Sequence, residues 1–204
     1  MQNYNSKFKI NKDFNIVIVG VGGQGLITLL QIIAEAALSE GYDIKSSELH
    51  GLSQRGGSVE VHVRFGKKIY SPLIPQGKAD LIFGFEAQEA LRGAYFANKN
   101  TSFLVNKFIV PIPLEKSLSE EQIAKTLNSI GKRVVLLPAA DICREKLGTD
   151  VVSGIYLLSL AAFKSLIPIN PDSILKAIKK IIPEKYLELN LKTFGLAKIK
   201  SSQS

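Results

Sequence analysis

NIVIVGVGGQGLITLLQIIAEAALSEG, residues 15–41, places an apolar run, a glycine-rich turn and the apolar spacing of a helix in succession. The run at 15–20 has the length and the β-branched composition of a buried strand. Gly20, Gly22 and Gly25 occupy the glycine positions of a G-x-G-x-x-G dinucleotide fingerprint. Such a turn leaves free N–H groups at the start of the following helix, where a pyrophosphate can bind. The stretch therefore predicts a βα unit with a nucleotide-binding turn.

This turn carries two residues that the fingerprint does not require. Gly23 opens the loop further, and Gln24 adds an amide acceptor and amide donors. The fingerprint also expects an acidic residue on the ribose about 20 residues further on, and Glu48 lies close to that position. One interpretation is therefore an NAD(P)-dependent reductase that uses Glu48. Others are a turn that only packs its helix, or a nucleotide-binding or scaffold module without catalysis.

A second polar, glycine-rich loop lies within SELHGLSQRGGSVEVHVRFG, residues 47–66. Its candidate ligand-binding residues are Ser53, Gln54, Arg55, Gly56 and Gly57. Arg55 can present a planar guanidinium fork to a phosphate or a carboxylate. His50 could hydrogen-bond a substrate carbonyl or carboxylate, or fix the loop. In a doubly wound sheet both loops should lie at the same strand ends, where ligands bind.

The rest of the chain alternates strand and helix patterns. Strands are predicted at 43–49, 58–65, 68–74, 79–85, 101–106 and 133–138. Helices are predicted at 25–40, 86–97, 119–127, 150–166, 173–182 and 183–192. We expect 58–65 and 68–74 to form a hairpin. The pattern predicts a three-layer α/β/α Rossmann-like domain with a mostly parallel, partly mixed sheet and a helical C-terminal third. The domain should cover 14–195, between a flexible leader at 1–13 and a tail at 196–204.

Composition excludes several functions. The net charge is +8, but the sequence has no basic stripe interleaved with aromatic residues, which nucleic-acid-binding surfaces usually have. We therefore expect the charge to serve an anionic ligand or an acidic partner rather than nucleic acid. No apolar run approaches the roughly 18 residues of a membrane helix, and the N-terminal residues do not resemble a secretory signal. Cys143, the only cysteine, fits the cytoplasm and cannot hold an iron–sulfur cluster, which needs about four thiolates. We predict no metal site in this chain.

The two loops together resemble a known family. GVGGQG at 20–25 and QRGGSV at 54–59 are similar to the motifs of the gamma-type component of 2-oxoacid:ferredoxin oxidoreductases. HGLSQRGG at 50–57 resembles the indolepyruvate branch of that family. Further matches stand at 69–74, 79–82 and 190–195. The resemblance therefore covers about 14–195.

This resemblance implies an oxidoreductase that acts on the oxo group of a donor, with an iron–sulfur protein as acceptor. The family reaction is oxidative decarboxylation of a 2-oxoacid with coenzyme A, passing electrons to ferredoxin. The chain has no Gly-Asp-Gly motif for thiamine diphosphate and magnesium. The resemblance thus implies that a larger alpha subunit carries thiamine diphosphate, magnesium and the iron–sulfur clusters, and that this chain is inactive alone.

Indolepyruvate or another arylpyruvate is the implied substrate; pyruvate, 2-oxoglutarate and branched-chain oxoacids are the alternatives within the family. By the same resemblance, the two loops would bind the phosphates of coenzyme A or shape the thiamine site of the partner. No catalytic residue is assigned beyond the candidate His50. We expect the isolated chain to self-associate, as a homodimer, through the apolar surface intended for its partner.

Overall fold

A computed structural model describes residues 12–51, 56–111 and 118–202. Its strands are β1 (Phe14–Val21), β2 (Asp43–His50), β3 (Ser58–Gly66), β4 (Leu81–Gly84), β5 (Ser102–Asn106) and β6 (Arg133–Leu137). Its helices are α1 (Leu26–Ser39), α2 (Ala87–Gly93), α3 (Glu120–Ile130), α4 (Ala139–Leu147), α5 (Ser153–Phe163), α6 (Pro171–Ile181) and α7 (Glu184–Ser202). A short 3-10 helix, Ala94–Phe96, extends α2.

The six strands form one sheet in the order β2-β3-β1-β4-β5-β6. β1, β4, β5 and β6 are parallel to one another. β3 lies antiparallel to both of its neighbours, β1 and β2. The predicted mostly parallel, partly mixed sheet is confirmed, and the reversed strand β3 is what makes it mixed.

The hairpin predicted between 58–65 and 68–74 is wrong. Residues 68–74 form no strand and instead cross the sheet face, where the Ile74 N–H donates to Nδ1 of His62 over 3.0 Å. Pro72 could not have donated to a strand ladder in any case. The true hairpin partner of β3 is β2, whose eight residues each face one residue of β3.

The sheet separates two apolar layers, because neighbouring residues of a strand point to opposite faces. In β1, Ile16 and Ile18 pack with α1, α4, α5, α6 and α7 on one face. Val17 and Val19 pack with α2 and α3 on the other. The three-layer arrangement and the helical C-terminal third are therefore confirmed.

Helix starts were easier to predict than helix ends. Ser119 and Gln122 form the expected capping box of α3, and the Asn170 side chain caps α6 by accepting from the Asp172 N–H. The final helix continues to Ser202 instead of ending near residue 192, so the expected tail begins inside α7. Helix α4 was not predicted. Within 12–51, 56–111 and 118–202, no helix is long and apolar enough to cross a membrane.

Candidate functional site

The glycine turn joins β1 to α1 at the edge where the parallel strands end. Gly23 (φ 100°) and Gly25 (φ 81°) have left-handed backbone conformations that favour glycine. Gly25 is the N-cap of α1, so no side chain caps this helix, and its first turn holds no acidic residue. The N–H groups of the first turn have no carbonyl partner within the helix, and they carry the positive end of the helix dipole. The turn therefore offers donors to an anion.

The side chain of Gln24 holds this turn in place through two hydrogen bonds. Its Oε1 accepts from the Val21 N–H over 2.9 Å, and its Nε2 donates to the Phe85 carbonyl over 3.4 Å. A Cβ on Gly20 would lie 2.6 Å from that Oε1 and 2.9 Å from the Phe85 Cβ, so only glycine fits beneath the amide. Gln24 thus has a structural role in the turn that the sequence motif did not indicate. Contact between its side chain and a ligand stays a prediction.

The two loops meet, as predicted. The Gly22 N–H donates to the Gly57 carbonyl over 2.8 Å, and the Gly56 N–H donates back to the Gly22 carbonyl over 3.3 Å. These bonds continue the β1–β3 ladder, whose last pair is Val21 with Ser58. Both loops therefore lie at one edge of the sheet. Three candidate residues of the second loop fall outside the described part of the chain: Ser53, Gln54 and Arg55.

Two buried acids at the start of α2, outside the predicted set of site residues, stand next to the loops. Ser58 donates its hydroxyl to Glu89 over 2.5 Å, which connects the second loop to α2. Glu86 accepts from the Glu89 N–H over 2.6 Å and from the Val110 N–H over 3.1 Å. Burial raises the pKa of Glu86, against the lowering effect of these backbone donors. The position of Glu86 just after a parallel strand was the signal that could have identified it.

Glu48 and His50 lie apart from the glycine turn. Both are exposed on β2, an edge strand, and β3 separates β2 from β1. With about 4.8 Å between strands, Glu48 belongs to a strand about 10 Å from β1. A dinucleotide fold instead places its ribose-binding acid on a parallel neighbour of the first strand. The topology therefore contradicts the geometry expected for NAD(P), and other roles of Glu48 and His50 stay predictions.

A cavity of about 550 Å³ opens beside the turn. It lies between the first turn of α1, the start of α5 and the junction of α6 with α7. Its polar lining residues are Gln24, Thr28 and Asn190, and Gly25 borders it as well. Most of the remaining wall is apolar. This cavity and the glycine turn form one continuous candidate site.

The remaining titratable candidates are structural. Cys143 is fully buried, and its burial, with a smaller contribution from the charge of Asp150, raises its pKa to about 11. A buried thiol with a raised pKa is poorly nucleophilic, so Cys143 has a structural role. His62 is buried as well and bonds to Glu60 over 2.8 Å while accepting from the Ile74 N–H. In the described residues, no cluster of three histidine, cysteine or acidic side chains is arranged to hold a metal ion.

Comparison with known proteins agrees with this architecture. Residues 15–198 match the family model described as pyruvate ferredoxin/flavodoxin oxidoreductase. The indolepyruvate oxidoreductase subunit IorB of Archaeoglobus fulgidus is 38% identical over 187 residues, which cover 89% of this chain and 92% of that protein.

Two solved structures share the fold. The gamma subunit of a keto/oxoacid ferredoxin oxidoreductase from Geobacter sulfurreducens has a TM-score of 0.68 at 21% identity, covering 94% of this chain and 99% of that one. The 2-oxoglutarate:ferredoxin oxidoreductase from Magnetococcus marinus, solved with 2-oxoglutarate, coenzyme A and succinyl-CoA bound, has a TM-score of 0.68 at 19% identity. That match covers 96% of this chain and 32% of the larger one. The chain belongs to the pyruvate ferredoxin/flavodoxin oxidoreductase family.

Proposed function

We propose that this chain is the gamma-type subunit of a 2-oxoacid:ferredoxin oxidoreductase that acts on indolepyruvate or a related arylpyruvate. The observation that carries the proposal is the pair of hydrogen bonds between Gly22 and the glycines of the second loop, beside a helix start that no side chain caps. This geometry supports a shared role of the two loops in binding an anion. The substrate class is supported by the relative that is 38% identical over most of both chains and is named for indolepyruvate.

The proposed enzyme needs a second polypeptide. A single cysteine cannot ligate iron–sulfur clusters, which need about four thiolates. A larger alpha subunit would therefore carry the clusters together with thiamine diphosphate and magnesium, and the assembled complex would reduce ferredoxin in the cytoplasm. The Magnetococcus marinus match supports this division, since the same fold there makes up about a third of a larger chain.

Within that complex, the two loops would bind the phosphates of coenzyme A. The uncapped first turn of α1 offers N–H donors without a competing carboxylate in that turn. A net charge of +8 favours the approach of an anionic co-substrate. Arg55 would add a charged fork from the second loop.

Reconstitution tests this function. The chain would be co-expressed with a candidate alpha subunit and assayed for ferredoxin or viologen reduction with indolepyruvate, pyruvate, 2-oxoglutarate and a branched-chain oxoacid, with and without coenzyme A. We expect activity only when both chains and coenzyme A are present, with indolepyruvate preferred. Preference for another oxoacid would change the substrate and keep the family reaction. A folded, cluster-loaded complex that is inactive towards every oxoacid would refute the proposal.

The role of the second loop needs its own binding experiment. Arg55→Ala should weaken binding of coenzyme A to the complex about tenfold or more, as expected for the loss of a charge-assisted hydrogen bond. Arg133→Ala is the matched control, because Arg133 is exposed at the opposite end of the sheet. Titration of the isolated chain with NADH tests the reductase alternative, which saturable binding would support.

A further inference from the structure

We propose that the side of β2 and β3 that faces away from α1 is the docking surface for a different polypeptide, one that presents an acidic surface. Under the proposed function that polypeptide is the larger alpha subunit, so the inference rests on that proposal and names the surface that holds the partner. We call this surface the His62 patch, because its exposed apolar members, Leu49, Leu73 and Tyr95, surround His62.

The two sides of β3 are covered differently. Towards α1, Val61, Val63 and Phe65 belong to the apolar layer that includes that helix. On the other side α2 and α3 pack on β1, β4 and β5, and within the described residues that apolar layer includes no side chain of β2 or β3. The segment 71–74 crosses β3 there instead, through hydrogen bonds to its side chains. Helices therefore leave this corner of the sheet partly open.

Two exposed apolar side chains lie beside His62 on that open side. Leu73 precedes Ile74, whose N–H donates to Nδ1 of His62 over 3.0 Å. The ring of Tyr95 makes a T-shaped contact with Phe96, with 5.0 Å between the ring centroids. Phe96 makes a T-shaped contact with His62 in turn, at 4.8 Å. Leu73 and Tyr95 are thus held close to the same buried ring.

The edge strand β2 adds a third member. Leu49 lies opposite Glu60 in the β2–β3 register, and Glu60 bonds to Nε2 of His62 over 2.8 Å. Opposite residues of an antiparallel pair point to the same face, so Leu49 lies on the same side as Leu73 and Tyr95. These three side chains are 47%, 51% and 58% exposed, respectively. A cluster of exposed apolar side chains that includes a tyrosine is typical of protein–protein interfaces.

Basic side chains surround this cluster. Lys45 points to the same face of β2 as Leu49, because residues at even spacing share a face of a strand. Lys68 precedes the crossing segment, and Arg92 lies in the last turn of α2, just before Tyr95. All three basic residues are exposed. They favour a partner whose matching surface carries acidic side chains.

The same charges favour a different polypeptide over a second copy. A second copy would present the same basic residues, and the chain as a whole carries a net charge of +8. Like charges across an interface repel each other. This repulsion should keep the homodimer expected of the isolated chain weaker than its complex with the acidic partner.

Subunit affinity tests the surface directly. The candidate alpha subunit is immobilised, and binding of the full-length chain is measured by biolayer interferometry. Tyr95→Ala and Leu73→Ala should each weaken binding about tenfold or more, as expected for residues at the centre of an interface. Leu38→Ala is the matched control for Leu73→Ala, because Leu38 is 56% exposed on α1, and it should change the affinity less than about twofold.

Charge reversal tests the chemistry of the partner. Lys45→Glu should slow association and weaken the affinity about threefold to tenfold, and added NaCl should weaken wild-type binding by screening. Lys198→Glu is the matched control, because this exposed lysine lies on α7, which covers the opposite side of the sheet. It should change the affinity less than about twofold. These substitutions lie on separate segments, so the test stays valid if one variant does not fold.

The measured quantity is assembly, so this inference and the proposed function fail separately. If the alpha subunit binds the variants of the His62 patch as tightly as the wild type, the inference is wrong and the proposed function stands. If the wild-type chain does not bind the alpha subunit, the proposed partner and this surface fail together. If the variants abolish dimerisation of the isolated chain and leave the affinity for the alpha subunit unchanged, a second copy occupies the patch and the inference is refuted.

Discussion

Phe85 packs against Gly154 so closely that a Cβ at position 154 would lie 2.5 Å from Cε1 of the ring. On its other side, the Phe85 Cβ is 2.9 Å from the Cβ that Gly20 would carry. The Phe85 carbonyl accepts from the side-chain amides of Gln24 and Asn106, each over 3.4 Å. One residue at the end of β4 therefore connects the start of α5 to the glycine turn.

Gly154→Ala should lower the free energy of unfolding by about 1–3 kcal/mol, the usual cost of overpacking. The new methyl group must displace the Phe85 ring, which is 2% exposed and held on both sides. Urea denaturation measures the change. Gly195→Ala is the control, because a Cβ there meets nothing within 4 Å inside α7, and it should raise stability by about 0.5–1 kcal/mol. Equal effects of the two substitutions would contradict this packing.

Gln24→Glu should separate folding from ligand binding. The carboxylate can still accept from the Val21 N–H, and a negative charge at the start of α1 is favourable by about 0.3–1 kcal/mol. The loss of the 3.4 Å bond to Phe85 offsets part of this gain, so the melting temperature should change little. Coenzyme A affinity should fall about tenfold or more, because the new charge repels its phosphates. Unchanged affinity by calorimetry would show that the anion binds elsewhere.

Ser58→Ala should destabilise the chain by about 1–2 kcal/mol, because Glu89 is 7% exposed and loses a hydroxyl donor. The remaining ion pair of Glu89 with Arg92, at 3.5 Å, is too loose to replace that bond. Ser46→Ala on the edge strand is the matched control, since Ser46 is exposed, and it should change stability by less than about 0.5 kcal/mol. Similar losses for both serines in urea denaturation would argue against the Ser58–Glu89 bond.

Cys143 should make stability fall in alkaline solution. Its pKa is about 11 in the folded chain, above the ordinary value, so between about pH 9 and 11 the unfolded thiol ionises while the folded thiol keeps its proton. The folded state then binds more protons, and the free energy of unfolding decreases by up to about 1.4 kcal/mol per pH unit. This contribution is complete below that window and is lost as pH rises through it.

Cys143→Ala provides the reference for that prediction. Other groups titrate in the same range, so the difference in slope between the two proteins isolates the thiol. The native thiol should also resist a disulfide reagent at pH 8 and react once guanidinium unfolds the chain, because it is fully buried. Parallel stability profiles for both proteins, or rapid labelling of the native chain, would overturn this account.

Local signals in the sequence predicted the first half of the site. The strand, the turn and helix α1 follow one another without interruption, and the helix starts at Ser119 and Asn170 depend on side chains within three residues. The meeting of the two loops was also predictable, because it required only that both lie at the same strand ends.

Long-range pairing was not predictable in the same way. The alternation of 68–74 reflects Ile69 and Ile74 burying against the sheet while Tyr70 faces solvent, and this pattern looks the same as that of a strand. The insertion of β3 between β1 and β2 has no local signature, and the spacing that suggests a ribose-binding position for Glu48 does not reveal it. The position of Glu86 at the start of α2 is a local feature, whereas its bond to Val110, 24 residues away, has no signature in the sequence.

Helices α5, α6 and α7 come last in the chain and cover the sheet face that holds Phe83 and Leu104. When β6 has been synthesised, all six strands of the sheet are therefore present. One apolar face of that sheet is still without α5, α6 and α7. During synthesis this intermediate is the species most in need of a chaperone. A premature stop codon before residue 153 would yield a sheet without these helices, and we expect such a product to aggregate.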